Sequence, residues 1–78
     1  MKYKVGDILI VKSDFDESIR TIPREERVLL VIAARSDTYT IKNLFGVNDF
    51  DFKVYLELAY EKIESKYCKL LYFGIDNV

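Results

Sequence analysis

The stretch Phe50-Asp51-Phe52-Lys53-Val54-Tyr55-Leu56-Glu57-Leu58-Ala59-Tyr60-Glu61-Lys62-Ile63-Glu64-Ser65-Lys66-Tyr67-Cys68-Lys69-Leu70-Leu71 decides the fold, because it carries two periodicities at once. At period two, Phe50, Phe52, Val54, Leu56 and Leu58 share one face of a strand, with Asp51, Lys53, Tyr55 and Glu57 on the other. At helical spacing, Leu56, Ala59, Tyr60, Ile63, Tyr67, Leu70 and Leu71 form an apolar stripe. Using each pattern where it is cleanest predicts a strand over 50–57, a short helix over 58–66 and a final strand over 67–73. Val11, Val31, Ile41, Val54 and Ile63 are then expected to be buried together, and the Phe50, Phe52 and Val54 face of the strand therefore points inward. The alternative is a single C-terminal helix over 52–71, packed on a three-stranded antiparallel sheet in an α+β fold.

The remaining segments are easier to read. Ile8-Leu9-Ile10-Val11 follows a Gly6-Asp7 turn and reads as a buried strand. Val28-Leu29-Leu30-Val31-Ile32-Ala33-Ala34 is a second, closed by a Ser36-Asp37 turn. Tyr39-Thr40-Ile41-Lys42-Asn43-Leu44 alternates at period two, with Tyr39 and Ile41 on one face, so 28–44 reads as a hairpin. The residues Phe45-Gly46-Val47-Asn48-Asp49 make the next turn. Between the first two strands lies an irregular stretch over 13–25, in which Pro23 holds Ile22 extended. A loop of that length in so small a domain points to function.

Length and composition restrict the function classes. The chain has 78 residues, read as one domain over 1–78, and is 50% hydrophobic and 14% aromatic. That is too apolar for disorder. Cys68 is the one cysteine and there is no histidine, so neither an internal disulfide nor a Cys/His zinc site can brace the core. Stability has to come from apolar packing, with self-association as a further source. The net charge of −1 is not that of a dedicated nucleic-acid binder. No signal peptide is expected over residues 1–20, because Lys12 and Asp14 end the short apolar run. The longest apolar run, Val28–Ala34, is too short to span a membrane. With a lone cysteine, these features point to the cytoplasm.

No sequence motif for catalysis, cofactor or metal stands out, and a non-enzymatic role is expected. The carboxylate pairs Asp14/Asp16 and Asp49/Asp51 lack a partner nucleophile or base, and read as turn formers and solubilising charge. The run Asp14-Phe15-Asp16-Glu17 lacks the spacing of a calcium loop. Cys68 reads as a small packing residue. Arg20, Arg24 and Arg27 with Lys12 and Arg35 offer a basic patch for phosphates, but acidic residues share the loop and a solvated mixed face is the simpler reading. Six Tyr and five Phe exceed what so small a core readily hides, with Tyr3, Phe15, Tyr55, Tyr60 and Tyr72 as the surplus. Aromatics beside charge make interface anchors. The predicted protein-binding surface is therefore Phe15, Asp16, Glu17, Arg20 and Arg24 on the loop, extended by Tyr39 and Tyr55 on strand faces. The competing reading of the aromatics is that they cap the ends of a small barrel.

The order of strand, long loop, hairpin, turn, strand, short helix and final strand resembles a five-stranded SH3-like β-barrel. The residues that carry the resemblance are Tyr3-x-Val5-Gly6-Asp7-x-x-x-Val11, Tyr39-x-Ile41-x-Asn43 and Ile63-Glu64-x-x-Tyr67-x-x-Leu70. Among such barrels the chain is similar to the small single-domain proteins encoded by bacteriophages and mobile elements. That resemblance implies an accessory or inhibitor protein that binds a bacterial host protein. Tryptophan is absent, which departs from the polyproline-gripping groove of peptide-binding SH3 domains. The alternative that the resemblance implies is a nucleic-acid-associated barrel of a transcription or translation complex.

Overall fold

The structure, a computed structural model, describes residues 2–13, 22–64 and 73. Five strands, β1 (Ile8–Val11), β2 (Val28–Ala34), β3 (Thr38–Lys42), β4 (Asn48–Phe52) and β5 (Tyr60–Ile63), form one antiparallel sheet in the order β4-β3-β2-β1-β5. A 3-10 turn at Arg24–Glu26 precedes β2, and one helix, α1 (Lys53–Ala59), joins β4 to β5. Among the described residues the fold is thus mainly β with one short helix. Among the described residues no ladder joins β4 to β5, so the sheet is open.

Burial explains which runs look continuous and which alternate. β1 lies second from one edge, paired with both β2 and β5, and its neighbours Ile8 and Leu9 are buried on opposite faces. β2 does the same with Val28 and Leu30 on one side and Leu29 and Val31 on the other. A strand covered on both faces needs no polar alternation. A register shift between Val31 and Ala33 marks a bulge in β2 against β3. The turn before β1 is built as its sequence suggests. Gly6 takes a φ of 96°, the Asp7 N–H donates to the Lys4 carbonyl at 3.0 Å, and Asp7 Oδ2 accepts from the Lys4 N–H at 3.0 Å. A side chain other than glycine's would strain that left-handed backbone.

The 50–71 stretch follows neither sequence reading. β4 stops at Phe52, α1 occupies Lys53–Ala59 instead of 58–66, and Tyr60–Ile63 is a strand. The same β5 excludes a continuous helix over 52–71. Lys53, Leu56, Glu57, Leu58 and Ala59 are good helix formers, which favours helix where the strand pattern fades. Pairing then wins over helical spacing: β1 takes Tyr60 to Ile63 onto its second edge, in register Ile8↔Ile63 through Val11↔Tyr60. The expected strand over 67–73 lies outside the described residues, apart from Phe73, which packs against the Ile8 side of the sheet.

The period-two face of this stretch was expected to be the core face. It is the opposite one: Phe50 and Phe52 are 67% and 63% exposed. Alternation tells which residues share a face, not which face meets the core. Beyond Phe52 the helix breaks the alternation, so Leu56 and Ala59 turn inward while Val54, 78% exposed, and Leu58 turn to solvent. Val54 therefore does not join Val11, Val31, Ile41 and Ile63 in a common core. Val31 and Ile41 belong to the main cluster with Leu9, Leu29 and Leu56, and Val11 packs partly against it. Ile63 packs against the second cluster, around Ile8, Val28 and Leu30.

Tyrosine hydroxyls tie the main cluster together. The Tyr3 N–H donates to the Tyr39 hydroxyl at 3.1 Å, and that hydroxyl donates to Glu57 Oε2 at 2.9 Å. The Tyr3 hydroxyl donates to the Tyr60 carbonyl at 2.8 Å, and the Tyr60 hydroxyl to the Glu26 carbonyl at 2.7 Å. The chain links the N-terminal segment, β3, α1, β5 and the 3-10 turn. Tyr3 and Tyr60 are thus core residues and not surface surplus. Burial, followed by the carboxylate of Glu57, raises the Tyr3 hydroxyl above its ordinary value; burial foremost raises that of Tyr39. A raised tyrosine pKa means that the folded state holds its proton more tightly. This stability is fully present below about pH 10, the unfolded value, and is lost as pH climbs from there through the folded values. Melting temperature should accordingly be flat from pH 8 to 9.5 and fall above pH 10. Tyr39→Phe leaves the buried Tyr3 N–H without its acceptor and should cost about 1–3 kcal/mol at pH 7 by chemical denaturation.

Candidate functional site

The predicted binding residues divide into three groups. Phe15, Asp16, Glu17 and Arg20, with Asp14 and Cys68, lie outside the described residues. Arg24 is exposed on the 3-10 turn. Tyr39 is fully buried, because its position on β3 faces the core beneath α1 and both functions of its hydroxyl are used internally. It therefore offers no contact surface, contrary to the sequence reading. Tyr55 is half-buried on α1 and lines a cleft.

That cleft encloses about 170 Å³ between the start of β2, β3, β4 and α1. Its walls are apolar and aromatic: Ile22, Pro23, Leu29, Ile41, Tyr55, Leu56 and Tyr60. Asp51 and Glu26 supply the carboxylates. The Tyr55 and Tyr60 rings meet edge to face, 6.3 Å apart at 73°. Burial, then the nearby Asp51 and Glu26, raises the Tyr55 hydroxyl pKa above its ordinary value. Small-molecule sites run to roughly 300–1,000 Å³. The cleft suits a single side chain better than a cofactor, and its chemistry suits a long cationic one, with an apolar stem along the tyrosines and its head at Asp51 and Glu26.

Beside the cleft runs the edge strand β4. Two bonds fix its orientation: the Lys53 N–H donates to the Asp37 carbonyl at 2.8 Å and the Asn43 N–H to the Val47 carbonyl at 3.0 Å. With the register Asp51↔Tyr39 and Asp49↔Ile41, the backbone groups of Asp49 and Asp51 face β3, and those of Phe50 and Phe52 face away from it. The outward donors meet carboxylates. The Phe50 N–H donates to Asp49 Oδ1 and the Phe52 N–H to Asp51 Oδ1, each at 2.8 Å. The pair Asp49/Asp51 thus caps an edge. Phe50 and Phe52 on the face opposite Tyr39, Phe45 and Val47 on the preceding turn, and Val54 and Leu58 on the solvent side of α1 are all exposed. Phe52 and Val54 line one depression with Ser36, Asp37 and Lys53. The turn itself is an Asn43 side chain accepting from the Phe45 and Val47 N–H groups, with Gly46 at a φ of 79°. The sequence reading put Val54 in the core, and with it the face of Phe50 and Phe52, and read Phe45 and Val47 as part of a turn, so it missed them as a surface. The run of seven large apolar residues among 45–58 is the signal that was there to find it.

The described basic residues of the candidate patch do not all gather. Val11 donates its N–H to the Arg27 carbonyl, which sets Lys12 beside Arg27. Arg35 lies at the far end of β2, about 26 Å from Arg27 at the rise of an extended strand. A different cationic corner exists, a depression of about 420 Å³ lined by Lys2, Tyr3, Lys4, Asp7 and Lys62. Lys62 Nζ lies 3.0 Å from Glu64 and 3.9 Å from Asp7, and the bond to Glu64 foremost, then Asp7, raises its pKa. Two carboxylates thus offset much of the charge of one of its three lysines. Among the described residues no three His, Cys, Asp or Glu side chains cluster as metal ligands, and no helix is long and apolar enough to cross a membrane.

No family model, no curated protein and no solved structure matches the chain.

Proposed function

We propose that the chain is a non-enzymatic protein-binding module, an SH3-like barrel of the kind that phages encode, acting in the bacterial cytoplasm as an accessory or inhibitor by occupying a host protein's surface. The barrel reading is supported by the element order and by β5 returning to pair with β1 after a short helix. The observation that carries the binding reading is the set of large apolar side chains left exposed between Phe45 and Leu58, with Phe50 and Phe52 on one face of β4 and Phe52 and Val54 lining one depression. Small soluble domains seldom expose contiguous apolar surface without using it. An aromatic pair in a polar surround has the makeup of an interface anchor.

The experiment is capture from bacterial lysate by the parent and by Phe50→Ser/Phe52→Ser. Both phenylalanines are already solvent-exposed, so the double variant should keep the parent's melting temperature within a few degrees and lose the captured protein at least tenfold. Equal capture by the two would place the interface elsewhere.

A second reading has one observation in its favour. Lys2, Lys4 and Lys62 around the N-terminal depression could hold phosphates of a nucleic acid. Its mark is affinity for RNA or DNA that falls steeply between 50 and 200 mM salt. The carboxylates of Asp7 and Glu64 on Lys62 rank it below protein binding.

A further inference from the structure

We propose that the partner segment is an extended strand of alternating basic and apolar residues that adds to the outer edge of β4, which no other described strand pairs with. This deepens the protein-binding reading and rests on it. Three features of β4 converge. Its outer edge presents the backbone groups of Phe50 and Phe52, the positions that an incoming strand must pair with. One face of that edge is apolar, with Phe50 and Phe52 exposed. The other carries Asp49 and Asp51, and Asp51 opens onto the cleft that Glu26, Tyr55 and Tyr60 share. A strand paired there sends alternate side chains to the two faces. Apolar residues would cover the phenylalanines, and Lys or Arg would meet the aspartates, one of them reaching into the cleft.

The aspartates also say what does not bind. They hold the Phe50 and Phe52 N–H groups at 2.8 Å, so an added strand must draw both carboxylates away. A strand with basic side chains gives the displaced carboxylates a new partner, whereas a neutral one does not. A second copy of this chain is disfavoured by register. Any antiparallel β4–β4 pairing that keeps the phenylalanines on one face sets aspartate opposite aspartate, and like charges directly opposed are unfavourable. The edge is therefore protected against itself and open to a basic strand. Lys53, the nearest cation on α1, is occupied over the Tyr39 ring, 5.2 Å from its centroid.

The test uses the whole chain, isotopically labelled, and three capped hexapeptides: Lys-Val-Lys-Val-Lys-Val, the block order Lys-Lys-Lys-Val-Val-Val, and Glu-Val-Glu-Val-Glu-Val. The alternating basic peptide should shift the amide resonances of Phe50 and Phe52 and bind at least tenfold more tightly than either other peptide. Asp49→Asn/Asp51→Asn, whose amide oxygens still accept from the same N–H groups, should lose at least tenfold of that affinity without a change in melting temperature. Equal binding of the block peptide would reduce the effect to charge alone and overturn the proposal. So would shifts confined to residues away from β4, or a dimer dispersed by Phe50→Ser/Phe52→Ser. Absence of peptide binding with lysate capture still dependent on Phe50 and Phe52 would overturn the strand proposal and leave protein binding intact. Loss of both would end both.

Discussion

Val31→Asp is expected to unfold the domain, while Val54→Asp leaves it folded. Both valines sit in strongly apolar sequence, and only position separates them. Val31 is 0% exposed, in one cluster with Leu9, Leu29 and Tyr39 and opposite Ile41 on β3. Its backbone is committed as well, the N–H donating to the Asp7 carbonyl and the carbonyl accepting from the Gly6 N–H. Keeping an aspartate there neutral at pH 7 costs about 4 kcal/mol, three pKa units at roughly 1.4 kcal/mol each. The unpaired polar group adds about 1–3 kcal/mol and the lost valine burial about 1.5–3. A domain of this length has roughly 4–12 kcal/mol in total at the usual per-residue range. Val54 lies in the first turn of α1, where a carboxylate is favoured by the helix dipole, so its substitution should stay within about 0.5 kcal/mol of the parent. Urea denaturation of the two variants side by side checks both.

Leu56→Ala is expected to cost about 2–5 kcal/mol, the range for removing a buried leucine. Only Leu56 and Ala59 of α1 are buried, so the helix has one large side chain holding it to the sheet. Leu56 is fully buried and also forms a wall of the cleft. Its truncation should loosen α1, with Tyr55 and the cleft losing definition together. Tyr55 fluorescence and the urea midpoint should both move. A midpoint unchanged by the substitution would mean that α1 is held by something other than its inner face.

How far the sequence could be read depended on where the deciding physics lay. β1, β2 and β3 were legible because their apolar runs and alternation are local, and Gly6, Ser36 and Asp37 punctuate them. Tyr39 and Ile41 were rightly placed on one face. Which face met the core was not a local property, so Phe50 and Phe52 were sent inward and Tyr39 outward. The helix at Lys53–Ala59 was missed by a few residues for a related reason. Tyr60–Ile63 has helical spacing, but the free side of β1 supplies a ladder that local periodicity does not encode. The carboxylates of Asp49 and Asp51 were read as solubilising charge. Their role as caps became visible only once β4 was known to be an edge.

The central claim is that the β4 edge meets the partner. Its most direct test replaces Phe50, Phe52 or, as the control, the exposed Val5 on the far side of the turn before β1 by the photocrosslinker p-benzoylphenylalanine, with irradiation in bacterial cells. The expected result is one discrete adduct from positions 50 and 52 and none from position 5. An adduct from position 5 alone, or none from positions 50 and 52 while the parent chain still captures its partner, would contradict it.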